Sequence, residues 1–180
     1  SEGIALLALA GNYFSQGEPQ RTVELSQQAL IIFQRIKVPQ LQAFAHRMLS
    51  LGYGSLMNDA NAMNSAQKFL EFSRKVENPV FEKNALGLLG DLHYNFGRNS
   101  EATKAYQKAL AIQTPEKTTG SNCGIYAGLG RVYRKLNQNN VAIGYYKKAI
   151  NGIEKIRRGI EGLPPELQNS FLDTVIDFKG

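Results

Sequence analysis

The sequence holds a single cysteine among 180 residues and no tryptophan. Cys123 alone cannot close an internal disulfide, so the chain gains nothing from cross-links and fits a reducing compartment. No uninterrupted apolar run of about 18 residues occurs, and no basic segment leads into an apolar one. Neither a membrane span nor a secretory leader is expected within this segment, and a cytoplasmic location is expected.

Residues able to do chemistry are equally scarce. There are two histidines, no C-x-x-C or H-x-x-x-H spacing for a metal, and no G-x-x-x-x-G-K-[ST] loop for a phosphate. His46 stands in a slot otherwise held by Leu6, Leu86 and Tyr126, and His93 in the slot of Tyr13, Tyr53 and Tyr133, so both read as packing residues. Cys123 lies at the start of a predicted helix, where the dipole could stabilise a thiolate, yet with no base beside it in sequence it reads as inert. No catalytic residue, metal site or cofactor is expected, and the chain is not read as an enzyme.

What the sequence does have is a period. Leu9, Leu49, Leu89 and Leu129 are each followed by a small residue, Ala10, Ser50, Gly90 and Gly130, and the spacing is 40 residues each time. Thr22, Ala62, Ala102 and Ala142 form a second small site, followed by Ala29/Leu30, Phe69/Leu70, Ala109/Leu110 and Ala149/Ile150. A fixed period of this size signals stacked supersecondary units. Within the third unit, Leu86, Leu89, Gly90 and His93 share one helical face, Gly97-Arg98-Asn99-Ser100 breaks the pattern, and Ala102, Ala105, Tyr106, Ala109 and Leu110 resume it. Each unit is thus expected to be an α-hairpin whose small residues let the paired helices approach closely.

These residues resemble the tetratricopeptide repeat. Leu86, Leu89, Gly90, His93, Gly97, Ala102, Tyr106, Ala109 and Leu110 fit its signature, as do Tyr126, Leu129, Gly130, Tyr133, Ala142, Tyr146 and Ala149. Units one and two depart from it, with Ala10 and Ser50 in the glycine slot, Thr22 in the alanine slot and Phe69 where alanine is usual. The period exceeds the family's common one of about 34, a difference expected to fall in the second helix and its loop. The expected fold is an all-α, right-handed α-solenoid of four repeats, at about 3–40, 43–80, 83–120 and 123–162. With 43% hydrophobic residues the chain can bury a continuous core across them.

Gly162 reads as a helix stop and Pro164-Pro165-Glu166 as a new start, with Leu167, Phe171, Val175 and Phe178 on one face. Residues 163–180 are therefore expected to form a capping helix or the beginning of a linker toward a further domain. Ile156 to Pro164, with Glu166-Leu167-Gln168 and Asp173-Thr174-Val175, is similar to the junction after the last repeats in cyanobacterial proteins that carry a caspase-like CHAT domain. That resemblance implies that the chain is the recognition arm of a larger bacterial protein.

The family resemblance also implies a ligand groove on the first helix of each unit. In this register it is lined by Ile4, Leu7 and Phe14; by Phe44, Arg47 and Leu51; by Asn84, Asp91, Tyr94 and Asn95; and by Arg131, Arg134 and Lys135. The character changes from apolar to basic. The carboxylate clamp of the family's chaperone-tail binders has no counterpart, since the comparable places hold Leu7, Gly11, Met48, Asn84 and Leu88. The implied partner is a protein or peptide segment, apolar toward unit one and acidic toward unit four.

The net charge of +6 raises a rival, because Arg131, Arg134, Lys135, Lys147, Lys148, Lys155, Arg157 and Arg158 crowd the last third. A nucleic acid or other polyanion could bind there through salt-sensitive contacts. Base-by-base reading is not expected, since the groove positions do not recur from unit to unit. A membrane partner is not expected either, as no single amphipathic helix carries the charge.

Overall fold

The computed structural model describes residues 2–114, 120–161, Pro164 and Leu167. The expected capping helix, and the junction compared with CHAT proteins beyond Glu161, lie outside the described residues apart from those last two. Eight helices and no strand occur among the described residues: α1 (Glu2–Ser15), α2 (Pro19–Arg35), α3 (Pro39–Ser55), α4 (Asp59–Lys75), α5 (Pro79–Asn95), α6 (Asn99–Ala111), α7 (Gly120–Lys135) and α8 (Asn139–Gly159). Each odd helix packs against the even helix that follows it and against the even helix before it, so four hairpins stack into an α-solenoid.

The extra length of the repeat does not sit only in the second helix and its loop, as the sequence suggested. Helices α2, α3, α4 and α5 all have 17 residues. The connections between them, 36–38, 56–58 and 76–78, are equally short, so here both helices are lengthened; α6 and α7 are instead separated by residues 112–119, and the second helix α8 has 21 residues. Proline at the first helical position of α2, α3 and α5 presets φ where no intrahelical donor is needed. Asn58 and Asn78 cap their helices through the side chain, the latter accepting from Val80 N at 3.0 Å and Phe81 N at 3.1 Å.

Every short turn is built alike. After α1, Gly17 N donates to Phe14 O (3.0 Å) and Glu18 N to Tyr13 O (2.9 Å), the paired bonds of a Schellman ending. The same two bonds close the turns at Lys37/Val38, Met57/Asn58, Glu77/Asn78, Gly97/Arg98 and Asn137/Gln138. The first residue of each pair is left-handed, with φ of 77° at Gly17, 54° at Lys37, 55° at Met57, 51° at Glu77, 78° at Gly97 and 59° at Asn137. Only two of the six are glycine, so Lys37, Met57 and Glu77 hold a conformation that an L side chain resists.

The core runs through the stack. Its largest cluster joins Ala62 and Ala66 of α4, Leu86, Leu89 and Leu92 of α5, Ala102, Ala105, Tyr106 and Ala109 of α6, and Ile125, Leu129 and Val132 of α7. The small sites behave in two ways. In units one and two a hydroxyl faces the other helix of the hairpin, Thr22 Oγ1 sharing its proton between Ala10 O (3.3 Å) and Glu18 O (3.1 Å), and Ser50 Oγ donating to Ala62 O (3.1 Å). In units three and four the glycine faces an aromatic ring instead: a Cβ on Gly90 would lie 2.5 Å from Tyr106 Cε1, and one on Gly130 would lie 2.6 Å from Tyr146 Cε1. The expectation of backbone approach at Gly90 is corrected accordingly; the space is given to Tyr106.

Candidate functional site

The candidate groove residues lie on α1, α3, α5 and α7, and the structure gathers only some of them. Ile4 is exposed, whereas Leu7 and Phe14 are partly buried, Leu7 against the cluster of Ala29, Phe33 and Ala45. Phe44 packs edge-on to Phe81 of α5 with centroids 4.9 Å apart, Leu51 is partly buried, and Arg47 is exposed. Asn84 and Asn95 are exposed.

Across α5 and α7 four of the named residues meet. Arg131 Nη2 donates to Asp91 Oδ1 at 2.7 Å, and the guanidinium carbon lies 5.3 Å from the centre of the Tyr94 ring. Lys135 Nζ approaches that ring at 5.2 Å, so the tyrosine is flanked by two cations. Behind this assembly, Tyr106 Oη donates to the same Asp91 oxygen at 2.7 Å. The ring of Tyr106 is wedged between Gly90 and Gly128, where no side chain could fit. Burial, reinforced by the neighbouring carboxylate, raises the Tyr106 pKa and keeps its hydroxyl a donor. Desolvation raises the Asp91 carboxyl as well, against the pull of the Tyr106 and Arg131 hydrogen bonds.

The consequence is a division of labour among the three basic groove residues. Arg131 is paired with Asp91, while Arg134 and Lys135 are exposed and have no carboxylate partner among the described residues. Of the three, only Arg131 has its charge paired with a carboxylate.

Polar contacts that the sequence reading missed tie successive units together. Arg98 grips Asp59 through two bonds, 2.8 Å and 2.6 Å, and its hydrogen bonding holds the Asp59 carboxyl below the ordinary value. Lys83 is 2% exposed and donates to Thr114 Oγ1 at 3.2 Å and Asn122 Oδ1 at 3.0 Å, with burial lowering its pKa. The register itself carried a signal here, since Lys83 aligns with Gly3, Ala43 and Cys123, small residues that are all buried. Cys123 is buried under α8 close to Gly152, and burial raises its thiol pKa. His46 stacks on Phe72 at 5.6 Å; both histidines have pKa values lowered by burial and a buried Nδ1 without a hydrogen-bond partner. No group of three metal-ligating side chains occurs among the described residues.

Residues 84–114 and 125–161 each match a model of the tetratricopeptide repeat. The chain carries tetratricopeptide repeats. The two matches fall on the units that pair glycine with tyrosine, Gly90 with Tyr106 and Gly130 with Tyr146. No curated protein sequence matches the chain significantly. Among solved structures, a Rap protein complexed with Competence and Sporulation Factor is similar at TM-score 0.76 and 18% identity, over 83% of this chain. The chain spans 42% of that protein's length. RapI in its apo form is similar at TM-score 0.74 and 15% identity, over 96% of this chain and 69% of its own. MamA is similar at TM-score 0.61 and 22% identity, over 85% and 79%. At these identities the likeness is one of fold, the tetratricopeptide-repeat solenoid.

Proposed function

We propose that this chain is a protein-interaction module, the recognition arm of a larger protein, which holds an extended or helical segment of a partner against α1, α3, α5 and α7. The observation that carries the reading is the cluster on α5 and α7, where Tyr94 is flanked by Arg131 and Lys135 and Asp91 keeps Arg131 in place. Arg134 and Lys135 would meet acidic side chains of the ligand, and Ile4, Leu7, Phe14, Phe44 and Leu51 its apolar part. Repeat solenoids present such extended surfaces because each unit adds one helix to the same face. One fold relative, the Rap protein, was solved complexed with Competence and Sporulation Factor, which is consistent with the fold holding a partner.

The test is capture of a partner from lysate of the source cell by wild type, by Arg134→Glu/Lys135→Glu and by Leu51→Asp. A specific partner should be lost from both variants, with charge reversal slowing association and Leu51→Asp speeding dissociation. Equal recovery by all three would move the binding surface away from the first helices.

A further inference from the structure

Around the ring of Tyr94 the charges do not balance. Arg131 and Lys135 stand at i and i+4 on α7, neighbours on one helical face. Both lean on the ring, with the guanidinium carbon 5.3 Å and Lys135 Nζ 5.2 Å from its centre. Among the described residues Asp91 is the one acid bonded there, accepting from Arg131 Nη2 at 2.7 Å. Its side chain is 44% exposed, and the bonds from Arg131 and Tyr106 both favour the ionised carboxylate. Two cations and one carboxylate leave a single unit of positive charge. Donors are left over as well: Lys135 has no carboxylate partner among the described residues, and Arg131 Nε is buried without an acceptor. Asp91 is held from behind, since Tyr106 Oη donates to the same oxygen at 2.7 Å and the Tyr106 ring is fixed between Gly90 and Gly128. Swinging the carboxylate away from an approaching anion would break both bonds.

We propose that Asp91 is the specificity-determining residue of this subsite, which admits a glutamate or aspartate side chain of the partner against Arg131 and Lys135 and rejects a phosphorylated one. This rests on the reading of α1, α3, α5 and α7 as the binding surface and names the charge accepted there. A carboxylate brings the assembly around Tyr94 to neutrality. A phosphoryl group carries about −1.5 to −2 charge near neutral pH and would leave a net negative charge in a partly desolvated place. It would also meet about twice the repulsion from Asp91 that a carboxylate meets, because Coulomb energy is linear in charge. The extra acceptor oxygens gain it little, since Arg131 already gives Nη2 to Asp91 and does not offer that edge as a fork.

NMR titration of the 180-residue chain with two blocked amino acids, N-acetylglutamate methylamide and N-acetylphosphoserine methylamide, tests this at constant ionic strength and about pH 7.5, where the phosphoryl group is close to doubly charged. The Arg131 Nε–H and Lys135 Nζ signals should shift with the glutamate probe, at a dissociation constant at least about threefold lower than with the phosphoserine probe. Asp91→Asn keeps an acceptor for the Tyr106 hydroxyl. It should tighten the glutamate probe about threefold and the phosphoserine probe about tenfold, the square expected for double the charge, so that the two end level. Arg131→Gln and Lys135→Gln should each weaken the glutamate probe at least about fivefold. Glu24→Gln, which removes the same charge from α2, should alter neither probe by more than about twofold. Backbone amide shifts outside α5 and α7 check that each variant keeps the fold. A wild type that binds phosphoserine as tightly as glutamate or tighter, no response of Arg131 and Lys135 to the glutamate probe, or an equal gain for both probes in Asp91→Asn would overturn the proposal. The probes need no partner protein, so selection kept here with equal recovery of a partner by all variants in the capture experiment would remove the groove reading alone.

Discussion

The ring of Tyr106 fills the space that a side chain on Gly90 would need, with a Cβ there only 2.5 Å from Cε1. The relation recurs in altered form along the chain, sixteen residues apart each time: Ala10 with Ser26, Ser50 with Ala66, Gly90 with Tyr106 and Gly130 with Tyr146. Where the first member loses its side chain, the second gains a ring.

Gly90→Ala should therefore destabilise. Overpacking costs about 1–3 kcal/mol, and the helix propensity regained, about 1 kcal/mol, offsets only part of it. Gly11→Ala, at a helical site with nothing within 4 Å, should instead stabilise by about 1 kcal/mol. Denaturant melts decide both signs. The double variant Gly90→Ser/Tyr106→Ala, which copies unit two, should lose less stability than its two single changes added together. Strict additivity would mean that the residues do not share the space.

Left-handed strain at the turns gives a second prediction. Lys37, Met57 and Glu77 occupy the position where Gly17 and Gly97 end their helices. Lys37→Gly, Met57→Gly and Glu77→Gly should each raise stability by about 1 kcal/mol, since relief of the left-handed conformation outweighs the entropy glycine adds to the unfolded chain. The three sites are far apart and should add. A loss of stability at any one would show that the side chain there makes a contact worth more than the strain.

The hairpins, the solenoid and the buried small sites were legible because period and burial coincide at the two small sites: Ala10, Ser50, Gly90 and Gly130 are all buried, as are Thr22, Ala62, Ala102 and Ala142. Lys83 shows the limit of that rule. It was read through neither size nor periodicity, since a lysine suggests solvent, yet its slot is that of Gly3, Ala43 and Cys123. The turns were legible only in part, because Gly17 and Gly97 announce a left-handed residue while Lys37, Met57 and Glu77 do not. The candidate groove was assigned by position unit by unit, and the contact of Asp91 and Tyr94 with Arg131 and Lys135 across α5 and α7 was not part of that reading. That Arg131 is already paired could not be seen, because it depends on the side-chain geometry of Asp91 and Tyr106 across three helices.

Histidine burial sets a pH dependence. The folded-state pKa values of His46 and His93 lie below the ordinary value of 6.5, lowered first by desolvation and then by Lys68 and Arg98 respectively. The unfolded chain then binds protons before the folded one does. Their contribution to stability is complete above pH 6.5 and is lost as pH falls through the depressed folded values. Melting temperature should decline from pH 7.5 toward pH 5, at about 0.15 M salt. His46→Leu, which copies Leu6 and Leu86, should flatten that decline; an unchanged slope would assign it to other groups.

Polyanion binding separates the two readings of the basic last third. Tyr133 and Tyr145 stack at 5.4 Å and Lys148 lies 5.3 Å from the Tyr145 ring, so the charge of α8 is partly turned toward its own tyrosines. Arg131 is likewise turned toward Asp91. Binding of a labelled DNA duplex should accordingly be weak and should fade near 0.15 M salt, with log K falling by about 0.9 per log salt for each phosphate contacted. Arg134→Glu/Lys135→Glu should reduce that slope by about 2 at most. Asp91→Asn should instead raise affinity, because it releases Arg131 while leaving an acceptor for the Tyr106 hydroxyl. Tight, sequence-selective binding at physiological salt, insensitive to these three changes, would place a nucleic-acid site on α8 and displace the protein-ligand reading of the basic residues.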